Sequence, residues 1–179
     1  MSNKMRFYVN CMLAFDSAIC VTVSHSNQYI IIRHWFRLIS RLGDGVFWYT
    51  LMAAIMLTNQ TNSLICVINM LAAGLTGTLI YKWLKHKTHR PRPSQVRQDV
   101  WCVGKPLDHF SFPSGHTLHA VTFSVVAIHY YSQLAIILVP FTLMIAMSRV
   151  ILGLHYPSDV LAGAGLGYLI ALFSLMLFV

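Results

Sequence analysis

Six apolar stretches dominate this 179-residue sequence, each approaching the roughly 20 residues that a helix needs to cross a hydrocarbon core about 30 Å thick. They lie near Phe7–Ser24, Val46–Thr58, Ser63–Leu84, Gly115–Tyr131, Leu134–Leu152 and Val160–Val179. The first is the weakest, because Asn10 and Asp16 fall inside it, and Pro140 is placed to kink the fifth. Inside lipid every backbone polar group must be bonded within its own segment, so such stretches fold as helices. The expected fold class is therefore all-α: one polytopic membrane helical bundle over residues 1–179, with about six transmembrane helices. Composition agrees, since 56% of residues are hydrophobic and only 10% are charged. That is too few polar side chains to cover a water-facing surface. No convincing small-residue cleavage site follows the first stretch, which reads as a retained span and not a signal peptide.

The few charges are concentrated. Of thirteen Lys and Arg, seven lie between Lys82 and Lys105, against five Asp and no Glu in the whole chain. A basic cluster between apolar spans suits anionic headgroups or a phosphate substrate. Nucleic acid is excluded as a partner by the polytopic character of the chain. Arg33, Arg37 and Arg41 recur every four residues within Tyr29–Leu42, among Ile30, Ile31, Trp35, Leu38 and Leu42. That pattern predicts an interfacial amphipathic helix, the plainer alternative being a solvated connector. The four cysteines (Cys11, Cys20, Cys66 and Cys102) have neither metal-site spacing nor a disulfide framework.

Parity of six spans places Ser24–Gly45, Lys85–Ser114 and Gly153–Asp159 at one face of the membrane. Three motifs stand there in order: Lys85, six residues, then Arg92-Pro93; Pro113-Ser114-Gly115-His116; and Ser148-Arg149, five residues, His155, three residues, Asp159. His155 and Asp159 share a face if helical, or are joined by a turn at Pro157 that leads into the last span. Either way the carboxylate can hold one imidazole nitrogen and free the other as a nucleophile; a purely structural pair is the alternative. Pro113–His116 falls where a loop becomes a helix, an anion-binding position in which Ser114 can cap and Gly115 admits a phosphate to the backbone. His116 is placed to pass a proton, or is incidental to a simple cap. Lys85, Arg92 and Arg149 supply cations suited to phosphate oxygens. Beside a membrane any one of them also serves as a headgroup anchor. Arg149 ends an apolar span, where an ionisable group is costly and usually functional.

These three motifs, with their order and internal spacings, resemble the type 2 phosphatidic acid phosphatase (lipid phosphate phosphatase) superfamily, in particular its bacterial membrane-bound members. The resemblance covers about Lys85 to Gly167. It implies that Lys85, Arg92 and Arg149 hold the phosphate oxygens, with Ser114 and the Gly115 N–H. It implies that His155 attacks phosphorus, oriented by Asp159, and that His116 protonates the leaving group and then activates water. It further implies a hydrolase of phospholipid or cell-envelope metabolism, acting on a lipid phosphomonoester or diphosphate without a metal ion or other cofactor. Undecaprenyl diphosphate, phosphatidylglycerophosphate, phosphatidic acid and lipid A phosphates are all substrates of such members, and nothing in the sequence separates them. Phosphotransfer to a lipid or sugar hydroxyl uses the same site, and vanadium-dependent haloperoxidases share the motifs but are soluble. A transporter or scaffold would not need the eight matched positions.

Other residues carry plainer readings. His119 is expected to be structural, or a partner of His116; His86, His89 and His109 lie in the catalytic loop, and Asp16 is expected to pair with a polar neighbour in the bundle. Ala162, Gly163, Ala164, Gly165 and Gly167 permit close packing of the last span. Orientation is the one conflict. The resemblance implies an active site facing the periplasm or outside, whereas counting positive charges places the Lys82–Lys105 loop in the cytoplasm. Charges that bind phosphate are poor topology markers and Lys4 and Arg6 are free ones, which favours the external site.

Overall fold

The computed structural model describes residues 3–104 and 108–178, with side chains from residue 11 onward. Lys105, Val179 and the side chains of Lys4 and Arg6, used in the sequence reading, lie outside the described residues. Every regular element among those described is a helix: α1 (Asn3–Ser24), α2 (Ile30–Leu42), α3 (Val46–Leu57), α4 (Ser63–Thr88), α5 (Pro93–Val96), α6 (Gly115–Tyr130), α7 (Ala135–Ile151) and α8 (Pro157–Phe178), with short 3-10 turns at His25–Gln28 and Ser132–Leu134. The six predicted apolar stretches fall on the helices α1, α3, α4, α6, α7 and α8, and the amphipathic segment on α2. By length and composition Ser63–Val96, Ser132–Ile151 and Pro157–Phe178 can cross a membrane, and Val46–Leu57 is apolar but shorter. At 1.5 Å per residue the 16-residue α6 is about 24 Å long, short of a full crossing.

The apolar pattern faces outward. Leu64, Ile68, Leu71, Leu75 and Leu79 recur at helical spacing along α4 and are all exposed, as are Ile136, Val139, Leu143 and Met147 on α7. A soluble bundle would bury such faces; a bilayer solvates them. Inside, small and polar residues share the interior with an apolar core that includes Trp48, Met70, Leu118 and Ile145. Asn69 is fully buried, taking a hydrogen bond from Ser174 and donating to Tyr130 Oη at 3.3 Å. The expected close packing of α8 is present against α6. A Cβ on Gly163 would lie 2.5 Å from the Ser114 carbonyl oxygen, and one on Gly167 would meet that of Leu118. Any larger side chain at either position would drive the two helices apart.

Three connections meet at one end of the bundle, as the parity of the spans required. The His25 ring donates to the Asp99 carbonyl (3.1 Å), and Asn27 Nδ2 donates to those of Trp101 (3.0 Å) and Ile151 (2.7 Å). Val103 N–H donates to Leu152 O, Ser111 N–H to Arg90 O and Ser114 N–H to Asp159 O, at 2.9–3.0 Å. Backbone groups of three segments far apart in sequence are thus satisfied by one another, which fixes the motif residues to a common frame.

Candidate active site

Lys85 occupies the last turn of α4, which ends at His89 in the left-handed region (φ 47°). The chain then extends through Arg90 and Pro91 to Arg92, the N-cap of α5. Arg92 is buried and anchored twice, by Nε to the Asp108 carbonyl (2.8 Å) and by Nη1 to that of Leu154 (2.6 Å). Arg149, in the last turn of α7, is likewise buried and donates to Ser40 Oγ (2.5 Å) and Ser40 O (3.1 Å) on α2. His155 follows in the turn between α7 and α8, and His116 is the second residue of α6. These five side chains line one cavity of about 590 Å³, together with Arg37, Ser40, Arg41, Asp44 and Asp108. Four elements and two loops therefore deliver the basic groups and both motif histidines to one chamber.

His155 has a defined tautomer. Its Nε2 lies 3.4 Å from Arg92 Nη1, and a guanidinium can only donate, so Nε2 presents its lone pair. The proton therefore sits on Nδ1, 3.7 Å from Asp159 Oδ2. That gap exceeds a direct hydrogen bond, and Nδ1 has no partner among the described residues. Asp159 is instead engaged by the Tyr156 N–H (3.0 Å) and by Arg90 Nη1 (2.6 Å), at the start of α8 as the Pro157 turn implied. Its pull on His155 is electrostatic across that gap. Burial pushes the His155 imidazole down to about 4, so the ring is neutral and able to attack at neutral pH.

Ser114 and Gly115 stand differently from the cations. Ser114 is the N-cap of α6, but its fully buried hydroxyl bonds Thr117 Oγ1 (3.0 Å) and makes no side-chain cap. The tight contact with α8 at Gly163 closes the space around it. Gly115 lies on a second cavity of about 460 Å³, walled by Trp48, Met52, Leu71, Leu75, Tyr81 and Phe123 between α3, α4 and α6. Asp44, Asp108 and His116 line both cavities. His116 thus stands where a basic chamber meets an apolar groove. His119 borders the groove, near Thr78 Oγ1 (3.2 Å) and stacked on Phe123, and takes no part in the chamber. His86, His89 and His109 are exposed outside the chamber lining.

Several residues of the site lie outside the motifs, Asp44, Asp108, Arg90 and Asp16 among them. Asp44, on the α2–α3 connection, accepts a hydrogen bond from His116 Nε2. Burial works against its charge, but the bond to His116 and the charges of His116, Arg149 and Arg41 outweigh it and hold the carboxyl below its ordinary range. Asp108 accepts from Lys85 Nζ at 2.5 Å, and that bond with the Lys85 and Arg92 charges keeps it ionised in the same way. Arg90 bridges two buried carboxylates, Asp159 at 2.6 Å and Asp16 at 2.8 Å, and Asp16 also accepts from the Ser158 N–H and hydroxyl. The polar partner expected for Asp16 is thus Arg90, and α1 is tied to the base of the His155 site. Arg90→Gln would leave two buried anions without a countercharge. It is expected to cost about 3–5 kcal/mol, read as a lower thermal midpoint in detergent; an unchanged midpoint would contradict the bridge.

Residues 63–179 match the PAP2 superfamily, a stretch that contains all three motifs and well over half of the chain. The chain belongs to this superfamily. Its likeness to individual proteins is more distant. Over 137 residues it is 28% identical to the bacitracin transport permease protein BcrC of Bacillus licheniformis, covering 74% of this chain and 61% of that one. It thus spans about six-tenths of that relative's length. Among solved structures, the transmembrane PAP2 type phosphatidylglycerolphosphate phosphatase from Bacillus subtilis is similar at a TM-score of 0.75 and 26% identity, over 94% of this chain and 86% of that one. Aquifex aeolicus LpxE is similar at 0.78 and 25%, over 89% and 93%. The PAP2 match extends from α4 to α8, whereas the two structural likenesses also take in much of the N-terminal half. Among the described residues, no three of His, Cys, Asp and Glu gather where they would hold a metal ion.

Proposed function

We propose that this integral membrane protein is a lipid phosphate phosphatase working through a covalent phosphohistidine at His155, with no metal ion. The observation that carries the reading is the position of His116 at the junction of the basic chamber and the apolar groove. A phosphate in the chamber with its lipid chain in the groove would bring the scissile oxygen to His116. Asp44 and Asp108 share the junction, but both are held ionised and cannot supply a proton, which leaves that part to His116.

In the first step His155 Nε2 forms a bond to phosphorus while the bond to the lipid oxygen breaks, and His116 gives its proton to that oxygen. Asp44 holds the Nε2–H of His116, so proton exchange with substrate falls to Nδ1, charged in the imidazolium and basic once the proton has left. In the second step that nitrogen takes a proton from water, whose oxygen displaces His155 and releases phosphate. Lys85, Arg92 and Arg149 spread the transition-state charge, and their anchored side chains need little rearrangement to do so. Ser114 and Gly115 do not line the chamber, and their part in this reading is to begin the helix that carries His116. Undecaprenyl diphosphate is the substrate we favour, with phosphatidylglycerophosphate and phosphatidic acid as further candidates.

Phosphate release from micelles of each lipid, in excess EDTA, tests the reading. Turnover is expected to persist in chelator and to be inhibited by vanadate, which mimics pentavalent phosphorus. Activity that vanishes in EDTA and returns with magnesium would overturn the metal-free mechanism. We place the chamber at the periplasmic or outer face of a bacterial inner membrane. Gln98 and Asn62 are exposed at opposite ends of the bundle, so single cysteines there should label from opposite sides of the membrane. Labelling of position 98 only from the cytoplasm would reverse the orientation.

A further inference from the structure

The PAP2 motifs account for three of the five fixed cations lining the chamber. The other two, Arg37 and Arg41, come from α2, outside the matched segment. Their four-residue spacing puts both on one helical face, and Ser40 between them bonds Arg149. The α2 face is therefore in direct contact with the phosphate cradle. Ile30, Ile31, Trp35 and Leu38 of the same helix are exposed, so α2 lies with an apolar side toward lipid and a basic side toward the chamber. Neither arginine is in an ion pair among the described residues.

Charge and size both exceed what one phosphate requires. Five fixed cations against Asp44 and Asp108 leave three positive charges among the described lining residues, before the proton that His116 carries as an imidazolium is counted. A lipid monophosphate carries about −1.5 to −2 at neutral pH, and a diphosphate roughly one charge more. A cavity of about 590 Å³ is in the range that holds a whole drug-sized ligand. We infer that Arg37 and Arg41 form a second phosphate subsite, which takes the non-reacting phosphate of a lipid diphosphate while the terminal one lies at His155. This rests on the phosphatase reading above and adds to it a specificity determinant on a helix without family motifs.

The shared chemistry is an anionic phosphate, which a headgroup of the surrounding bilayer also offers, so the test must separate the two. Farnesyl diphosphate and farnesyl monophosphate are compared as substrates of the wild type and of Arg37→Gln/Arg41→Gln, in zwitterionic and in anionic vesicles. Arg33→Gln, on the same helix but away from the chamber lining, is the control. The double variant is expected to lose about 10²-fold or more in kcat/KM on the diphosphate, two charge-assisted contacts each worth roughly tenfold, and less than about threefold on the monophosphate. Inhibition by methylenediphosphonate should weaken in parallel while inhibition by inorganic phosphate does not. Equal losses on both substrates, no loss on either, or a loss set by vesicle charge alone would overturn the subsite while leaving the phosphatase intact. A wild type that cleaves neither substrate would instead overturn the phosphatase reading itself, and the subsite with it.

Discussion

His155→Ala is expected to abolish turnover, by roughly 10⁴-fold or more, the scale on which removal of a covalent nucleophile is felt. The variant should remain folded. His155 is buried in a turn whose frame is set by backbone bonds to Arg149 O and by the Asp159 carboxylate on the Tyr156 N–H, none of which uses the imidazole. Alanine there removes the reacting nitrogen and leaves the Arg92 anchors on Leu154 and Asp108 in place. Phosphate binding should therefore survive the loss of chemistry, which vanadate or phosphate protection against thermal unfolding would report. Appreciable turnover by a folded His155→Ala protein would refute the assignment.

The second large effect concerns His116 and depends on the leaving group. A phosphomonoester expels a lipid alkoxide, which leaves poorly without a proton; a diphosphate expels a lipid monophosphate, which leaves far more readily. General-acid assistance is typically worth about 10²–10⁴-fold, and it matters most where the leaving group is worst. His116→Ala is therefore expected to slow phosphoenzyme formation by that factor on phosphatidic acid and far less on undecaprenyl diphosphate. Because the same ring activates water in the second step, a single-turnover burst is the measurement that isolates the first. Equal losses on both lipids would return His116 to a phosphate-holding role. The position of His116 at the mouth of the apolar groove favours the unequal result.

The two kinds of site residue differed in how visible they were in the sequence. Lys85, Arg92, His116, Arg149, His155 and Asp159 lie in short-range patterns, and the span lengths brought their segments to one end of the bundle. Helix positions followed from the same source: apolar runs have few alternatives in lipid, and α3, α4, α6 and α7 begin and end within a few residues of the predicted limits. Asp44, Asp108 and the Asp16–Arg90–Asp159 bridge lie in no local pattern. They pair residues 23 to 74 positions apart, and only the folded chain brings them together. A usable signal was nevertheless present. A carboxylate in so apolar a chain is expensive unless paired, and all five aspartates have a cationic or histidine partner. Ser114 shows the opposite case. The loop-to-helix pattern located the N-cap correctly, yet the hydroxyl bonds Thr117 Oγ1 and not a backbone N–H of the first turn, a choice between two neighbours on one helix that the pattern does not distinguish.

The covalent intermediate is the claim on which the rest depends, and rapid quenching of the purified protein with a radiolabelled lipid phosphate tests it directly. The account predicts one phosphate per protein, stable in base, labile in acid, mapped by mass spectrometry to His155 and absent from His155→Ala. Label on any other residue, or burst-phase turnover with no protein-bound phosphate at any time, would contradict it.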